Sequence, residues 1–274
     1  MRPILSPDTF TAVANLSTRA GAAIMAVYTQ DFHVETKADA SPLTAADLAA
    51  HTVICDGLNA LSTDPVLSEE SQGIAYEDRA AWTRFWLVDP LDGTKEFIKR
   101  NGEFTVNIAL ISGGAPVAGF VFAPVLKKLY CGLFGVGAFV TSVAPGEAVA
   151  AITDFARVPE AYTRLPKPST APAGTLRVVA SRSHRNQETD DLIARLSVGH
   201  TTTEIVSSGS SLKLCLVAAG EADVYPRLGP TMEWDTGAAQ AIVEAAGKTC
   251  VEFNSQKPLR YNKENLLNPY FIVS

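Results

Sequence analysis

Apolar residues recur at three- and four-residue steps from Phe10 through Val13, Leu16, Ala20 and Ile24 to Val27, which predicts an amphipathic helix with one buried stripe. Its start is marked by Ser6-Pro7-Asp8, a capping hydroxyl followed by a proline suited to the first turn and an acid that complements the dipole. A second helix is expected after Ser41-Pro42-Leu43-Thr44, with Leu48, Cys55, Leu58 and Leu61 turned inward. From Phe85 the texture changes. Phe85-Trp86-Leu87-Val88 reads as a buried strand running into Asp89, and the runs 104–111, 116–122, 128–134 and 138–141 read as a meander. Gly113-Gly114 and Gly135-Val136-Gly137 supply its turns.

The proline-rich stretch 159–174 is taken as a connection between an N-terminal α+β domain (1–158) and a C-terminal α/β domain (175–274). Beyond it, strands at 176–180, 203–206 and 223–225 alternate with helices at 188–196, 211–219 and 233–246, the last stopped by Gly247. The expected fold class is therefore α/β in the broad sense, with an antiparallel sheet in the first part.

Composition narrows the function. With 274 residues, 47% of them hydrophobic and 19% charged, the chain has ample material for a core. A net charge of -6 argues against binding a nucleic-acid polymer, which needs a basic face. Cys55, Cys131, Cys215 and Cys250 are scattered, which argues against a zinc site or a disulfide framework. No transmembrane segment is expected, and Met1-Arg2-Pro3 does not open a secretory signal, so the expected location is cytoplasmic. Peripheral association with the inner membrane, and the choice between monomer and homodimer, stay open.

Three segments carry acids next to apolar elements: Ser68-Glu69-Glu70, Asp89-Pro90-Leu91-Asp92-Gly93-Thr94 and Glu233-Trp234-Asp235. Alone, the first reads as a solvated acidic pair, the second as a turn and the third as a helix cap. Together they suit a hard cation, because magnesium prefers carboxylate and carbonyl oxygens. Pro90 fixes the chain between Asp89 and Asp92, while Gly93 and the helix start after it offer free N–H groups to a phosphate. The chemistry indicated is metal-assisted removal of phosphate from a small phosphorylated metabolite.

The acid motifs resemble the paired signatures of the inositol monophosphatase superfamily. The run 86–111, Ser41 to His51, Ser181 to His184, Ser208 to Cys215 and Tyr225 to Pro230 extend the similarity to its bacterial 3′(2′),5′-bisphosphate nucleotidase branch. The resemblance implies a layered αβαβα sandwich, lithium-sensitive magnesium dependence, and hydrolysis of adenosine 3′,5′-bisphosphate to AMP, a clearing step in sulfur assimilation. Adenosine 3′-phosphate 5′-phosphosulfate is a further implied substrate, and inositol phosphates or sugar bisphosphates are the alternative. It implies that Glu69, Asp89 and the Leu91 carbonyl hold one Mg2+, Asp89, Asp92 and Asp235 a second, and Glu70 a third through water. Asp47 and Thr94 would activate the attacking water. Substrate contacts would come from Glu69, Asp92, Gly93, Thr94, His184, Ser210, Lys213, Arg227 and Asp235. One departure from the family pattern, Gly237 where alanine is usual, is expected to affect stability slightly and chemistry not at all.

Overall fold

The computed structural model describes residues 4–30, 42–71, 73–180 and 186–274. The motif residues Ser41 and Ser181 to His184 lie outside the described residues, and with them the expected substrate contact of His184.

Helix α1 (Pro7–Tyr28) starts as its sequence dictates, with Ser6 Oγ accepting from the Thr9 N–H at 3.1 Å. Phe10, Val13, Leu16, Ala20 and Ile24 are buried. Val27 is only partly covered, and Tyr28 closes the stripe by packing its ring against Phe97 and Phe104. The helix is long and apolar enough to pass for a membrane span, but this face is buried against the sheet.

Helix α2 (Pro42–Leu61) corrects the expected phase. Leu48 and Leu61 are 46% and 40% exposed, whereas Ala46, Ala50, Ile54 and Leu58 are buried. The reason is close packing. A Cβ placed on Gly57 would stand 2.4 Å from Leu16 Cδ1, so α2 lies against α1 through small residues. A side chain at position 57 would not fit without a shift of Leu16.

The main sheet has seven strands in sequence order: β1 (Val66–Ser68), β2 (Arg84–Asp92), β3 (Thr105–Ser112), β4 (Ala115–Ala123), β5 (Lys128–Leu133), β6 (Gly137–Ser142) and β7 (Tyr162–Leu165). Strand β7 pairs with β6 from inside the proline-rich stretch. All pairings are antiparallel except β1 with β2. Along β2 the side chains alternate: Trp86 and Val88 face the layer of α1 and α2, and Phe85 and Leu87 the opposite layer.

That opposite layer is α6 (Leu212–Ala218) and α7 (Glu233–Ala245). Helix α7 seats on two sheet glycines. A Cβ on Gly119 would meet the Ala238 carbonyl oxygen at 2.0 Å, and one on Gly132 would meet Ile242 Cα at 2.7 Å. Beyond these helices, β8 (Thr175–Ala180) pairs in parallel with β9 (Thr202–Ser207), and Val178 bridges Val224 at the edge of a small sheet. That sheet is ordered β10 (Tyr225–Arg227), β12 (Phe271–Val273), β11 (Cys250–Glu252). Strand β10 begins two residues later than expected, because the backbone of Asp223 and Val224 bonds to β8 instead, the Asp223 N–H donating to the Arg177 carbonyl at 2.9 Å and the Val179 N–H to the Val224 carbonyl at 2.8 Å. Helix α5 (Gln187–Leu196) covers the outer side through Ile193. The layers thus run αβαβα, as expected.

Candidate active site

The sheet topology gathers the acids. Because β1 and β2 are parallel, their C-terminal ends lie side by side, and the Glu69 N–H donates to the Val88 carbonyl at 3.1 Å. Glu69 therefore stands beside Asp89. Asp89 continues the alternation of Leu87, so its side chain points to the α6–α7 layer and is only 1% exposed. After it, the register shifts between Asp89 and Asp92, and Leu91 turns back into the core while its N–H donates to Asp89 Oδ1 at 3.1 Å. Asp235 arrives from the first turn of α7, where its Oδ2 accepts from the Met232 N–H at 2.8 Å. Asp89, Asp92 and Asp235 each bring one oxygen within 4.8 Å of the others.

The cluster crowds several carboxyl groups into one buried place. Burial pushes Asp89 well above the usual carboxylate range, and repulsion from Asp92, Glu69, Asp235 and Asp47 adds to it. Asp235 is pushed up to about 7, chiefly by burial and then by Asp92. Glu69 is raised by burial and by Asp92, and it shares a hydrogen bond with Asp89, which two fully ionised carboxylates cannot form. A divalent cation would relieve all of these at once, so the donor set fits magnesium.

Asp47, on α2, is buried beside the cluster and pushed up to about 8 by burial, then by Glu70 and Glu69. It shares a hydrogen bond with Glu70, and its Oδ1 has no partner. Thr94 opens the short helix α4 (Thr94–Ile98), with Gly93 as its cap at φ 95°, and its side chain is exposed. No hydrogen bond joins Asp47 to Thr94 among the described residues. Gly93 has little freedom to change, since a Cβ there would crowd Ser210 Cβ at 3.2 Å and the Glu103 carbonyl oxygen at 3.3 Å.

A cavity of about 220 Å³ opens from Asp92, Thr94 and Asp235 and is lined further along by Lys213, Tyr225 and Arg227. Lys213 is held in the buried first turn of α6, where its Nζ donates to the Ser210 carbonyl at 2.8 Å and lies 6.0 Å from the Tyr225 ring centroid. Burial lowers it to about 8. Arg227 Nη2 donates to the Pro230 carbonyl, while its buried Nε has no partner. Both cations thus line the same cavity as Asp92 and Asp235. Ser210, expected from sequence as a substrate contact, also lines this cavity, and its hydroxyl donates to Asp92 Oδ2 at 2.5 Å.

Three polar residues in this region were not singled out from sequence: Thr105, Asn107 and Ser211, all buried within reach of Asp92. Their one signal was a lone asparagine inside the apolar run 104–111. His51, whose Nδ1 lies 2.9 Å from Ser68 Oγ, was likewise quoted only as part of a motif.

Comparison with known proteins agrees with this geometry. The family model for the inositol monophosphatase family matches residues 5–270. The chain is 48% identical over 269 residues to proteins named 3′(2′),5′-bisphosphate nucleotidase CysQ from Shigella flexneri and Escherichia coli K12, covering 96% of this chain and 98% of each relative. The crystal structure of CysQ from Bacteroides thetaiotaomicron superposes with a TM-score of 0.90 at 46% identity, covering 99% of this chain and 98% of that one. The buried acid cluster at paired strand ends, the layered sandwich around it and these similarities together establish that the chain belongs to the inositol monophosphatase family.

Proposed function

We propose that the chain is a magnesium-dependent 3′(2′),5′-bisphosphate nucleotidase that hydrolyses adenosine 3′,5′-bisphosphate to AMP and phosphate, and also takes the 5′-phosphosulfate analogue. The observation that carries this reading is one cavity lined both by Asp92 and Asp235 of the acid cluster and by the cations Lys213 and Arg227. A substrate with two anionic groups spans such a site; a monophosphate leaves the cations without an anionic partner.

On this reading Glu69, Asp89 and the Leu91 carbonyl would hold one ion, and Asp89, Asp92 and Asp235 would hold a second. Glu70 supports a third through water. Bound magnesium lowers the pKa of water and offsets charge on the phosphoryl oxygens. The first part of the chain, 1–158, supplies most of these ligands, and the second, 175–274, supplies Asp235 and the cationic wall. Thr94 orients the attacking water at the start of α4, and the partnerless Asp47 Oδ1 supplies the proton acceptor. Gly93 lets the scissile phosphate approach the backbone at that turn. Phosphate release from a panel of nucleoside bisphosphates, inositol monophosphate and sugar bisphosphates, with and without magnesium, tests the assignment. Preference for inositol monophosphate would reject it.

A further inference from the structure

Asp92 sits in a ring of polar side chains linked by hydrogen bonds. Its Oδ2 receives four donors: Ser210 Oγ at 2.5 Å, Ser211 N at 2.7 Å, Ser211 Oγ at 2.8 Å and Asn107 Nδ2 at 3.4 Å. Asn107 Nδ2 also donates to Ser211 Oγ at 2.8 Å, and Asn107 Oδ1 accepts from Thr105 Oγ1 at 3.0 Å. Thr105 Oγ1 and Ser210 Oγ also lie 2.5 Å apart, and their two protons serve two of the three contacts with Asn107, with Asp92 and with each other. The two β3 members are placed by register: Asn107 lies opposite Asp89 and Thr105 opposite Asp92, so all four side chains face the α6–α7 layer. The two serines come from the start of α6, and the Ser211 hydroxyl also lies 2.8 Å from the Asp235 carbonyl.

Two observations show that the ring has a purpose beyond filling the core. Thr105, Asn107 and Ser211 are 0%, 1% and 1% exposed, in positions where apolar side chains would serve packing equally well. Ser210 adopts φ 51°, a left-handed conformation unfavourable for a residue with a Cβ and retained where the surroundings demand it. Four donor contacts converge on one oxygen, Asp92 Oδ2. Among the described residues, Asp92 Oδ1 receives none.

We infer that Thr105, Asn107 and Ser211 are positioning residues that commit Asp92 to present Oδ1 alone to the magnesium site. This rests on the proposed role of Asp92 as a ligand. A carboxylate free to rotate could offer either oxygen, or both, and magnesium tolerates little departure from octahedral geometry. With Oδ2 saturated, rotation breaks these contacts, so a single geometry persists before any ion arrives. The Ser211 hydroxyl also lies between Asp92 and the Asp235 carbonyl, 2.8 Å from each with one proton available to either, so two acids from distant parts of the chain pack against one residue.

The test uses Mn2+ alone as the probe, its free signal counted by electron paramagnetic resonance in the full-length protein, with Mg2+ as competitor. Thr105→Val and Ser211→Ala remove ring hydroxyls with little change of volume, Thr105→Ser keeps the hydroxyl, and Asp92→Asn serves as reference. Ring disruption is expected to weaken Mn2+ and Mg2+ binding ten- to a hundredfold, as loss of outer-shell partners typically does. Thr105→Ser should restore it. At saturating magnesium kcat should return to within a few-fold of wild type and KM should stay unchanged, a split that general loosening of the fold would not give. Folded Thr105→Val and Ser211→Ala proteins that bind Mn2+ like wild type, while Asp92→Asn does not, overturn this inference alone. Wild-type affinity in Asp92→Asn overturns the ligand assignment on which it rests.

Discussion

Metal-free protein should lose stability as pH rises from about 4 to about 8 and should regain it when magnesium is added. In the folded chain Asp235 is raised from its ordinary 3.8 to about 7 by burial and then by Asp92, and Asp89 is raised in the same direction. In the unfolded chain both titrate near 4. Between those limits the folded state binds more protons than the unfolded state, so stability present at low pH is lost as pH rises through the folded value. For Asp235 the gap of about three pH units corresponds to on the order of 4 kcal/mol. In a protein of this size each kcal/mol moves Tm by about 2 °C, so a fall of about 8 °C is expected from this group alone. The assay is thermal unfolding in chelator and in magnesium at pH 5 and pH 8. Magnesium should raise Tm by several degrees at pH 8 and little at pH 5, where protons already occupy the acids. An equal rise at both pH values would refute the linkage between the acid cluster and the metal.

Other outcomes follow from the same geometry. Asp89→Asn removes the buried carboxylate proposed to bridge two ions, so kcat/KM should fall about a thousandfold, or ~4 kcal/mol, while metal-free Tm stays equal or rises; half of wild-type activity would exclude bridging. Lys213→Ala should raise KM for adenosine 3′,5′-bisphosphate more than it lowers kcat, costing about 1.5–3 kcal/mol, with a smaller loss on inositol monophosphate; equal losses on both would show that Lys213 does not read the second phosphate. Because burial lowers Lys213 to about 8, its charge is present below that pH, so wild-type KM for the bisphosphate should rise above it, and Lys213→Ala should flatten this limb of the KM–pH profile. Gly119→Ala should destabilise by roughly 1–3 kcal/mol or more, measured by urea unfolding, because its Cβ would meet a helix carbonyl oxygen at 2.0 Å.

The parts of this molecule that could be read from sequence are those whose signal is local. The α1 stripe, the apolar strand that carries Asp89 and the helix opening at Glu233 each announce themselves within their own segment, though the strand runs on to Asp92 where the sequence reading ended it at Asp89. The phase of α2 does not, because its buried face is made of Ala46 and Ala50 as much as of Ile54 and Leu58, and the larger exposed Leu48 and Leu61 dominate the pattern. Strand β7 was hidden by the prolines around it, and β11 and β12 are three residues each, too short for alternation to register. At the site, the acids were legible as motifs at element ends. The ring around Asp92 was not, since Ser210 and Ser211 reach it from more than a hundred positions away and Asn107 resembles noise in an apolar strand.

The central claim is that one cavity joins a magnesium-binding acid cluster to a cationic wall that reads a second phosphate. The most direct measurement is kcat/KM for adenosine 3′,5′-bisphosphate and for inositol monophosphate under the same magnesium titration, with the nucleotide product identified by phosphorus NMR. The account predicts strictly magnesium-dependent release of the 3′-phosphate, AMP as the product, and a strong preference for the bisphosphate. Magnesium-independent turnover, loss of the 5′-phosphate instead, or equal kcat/KM on both substrates would contradict it.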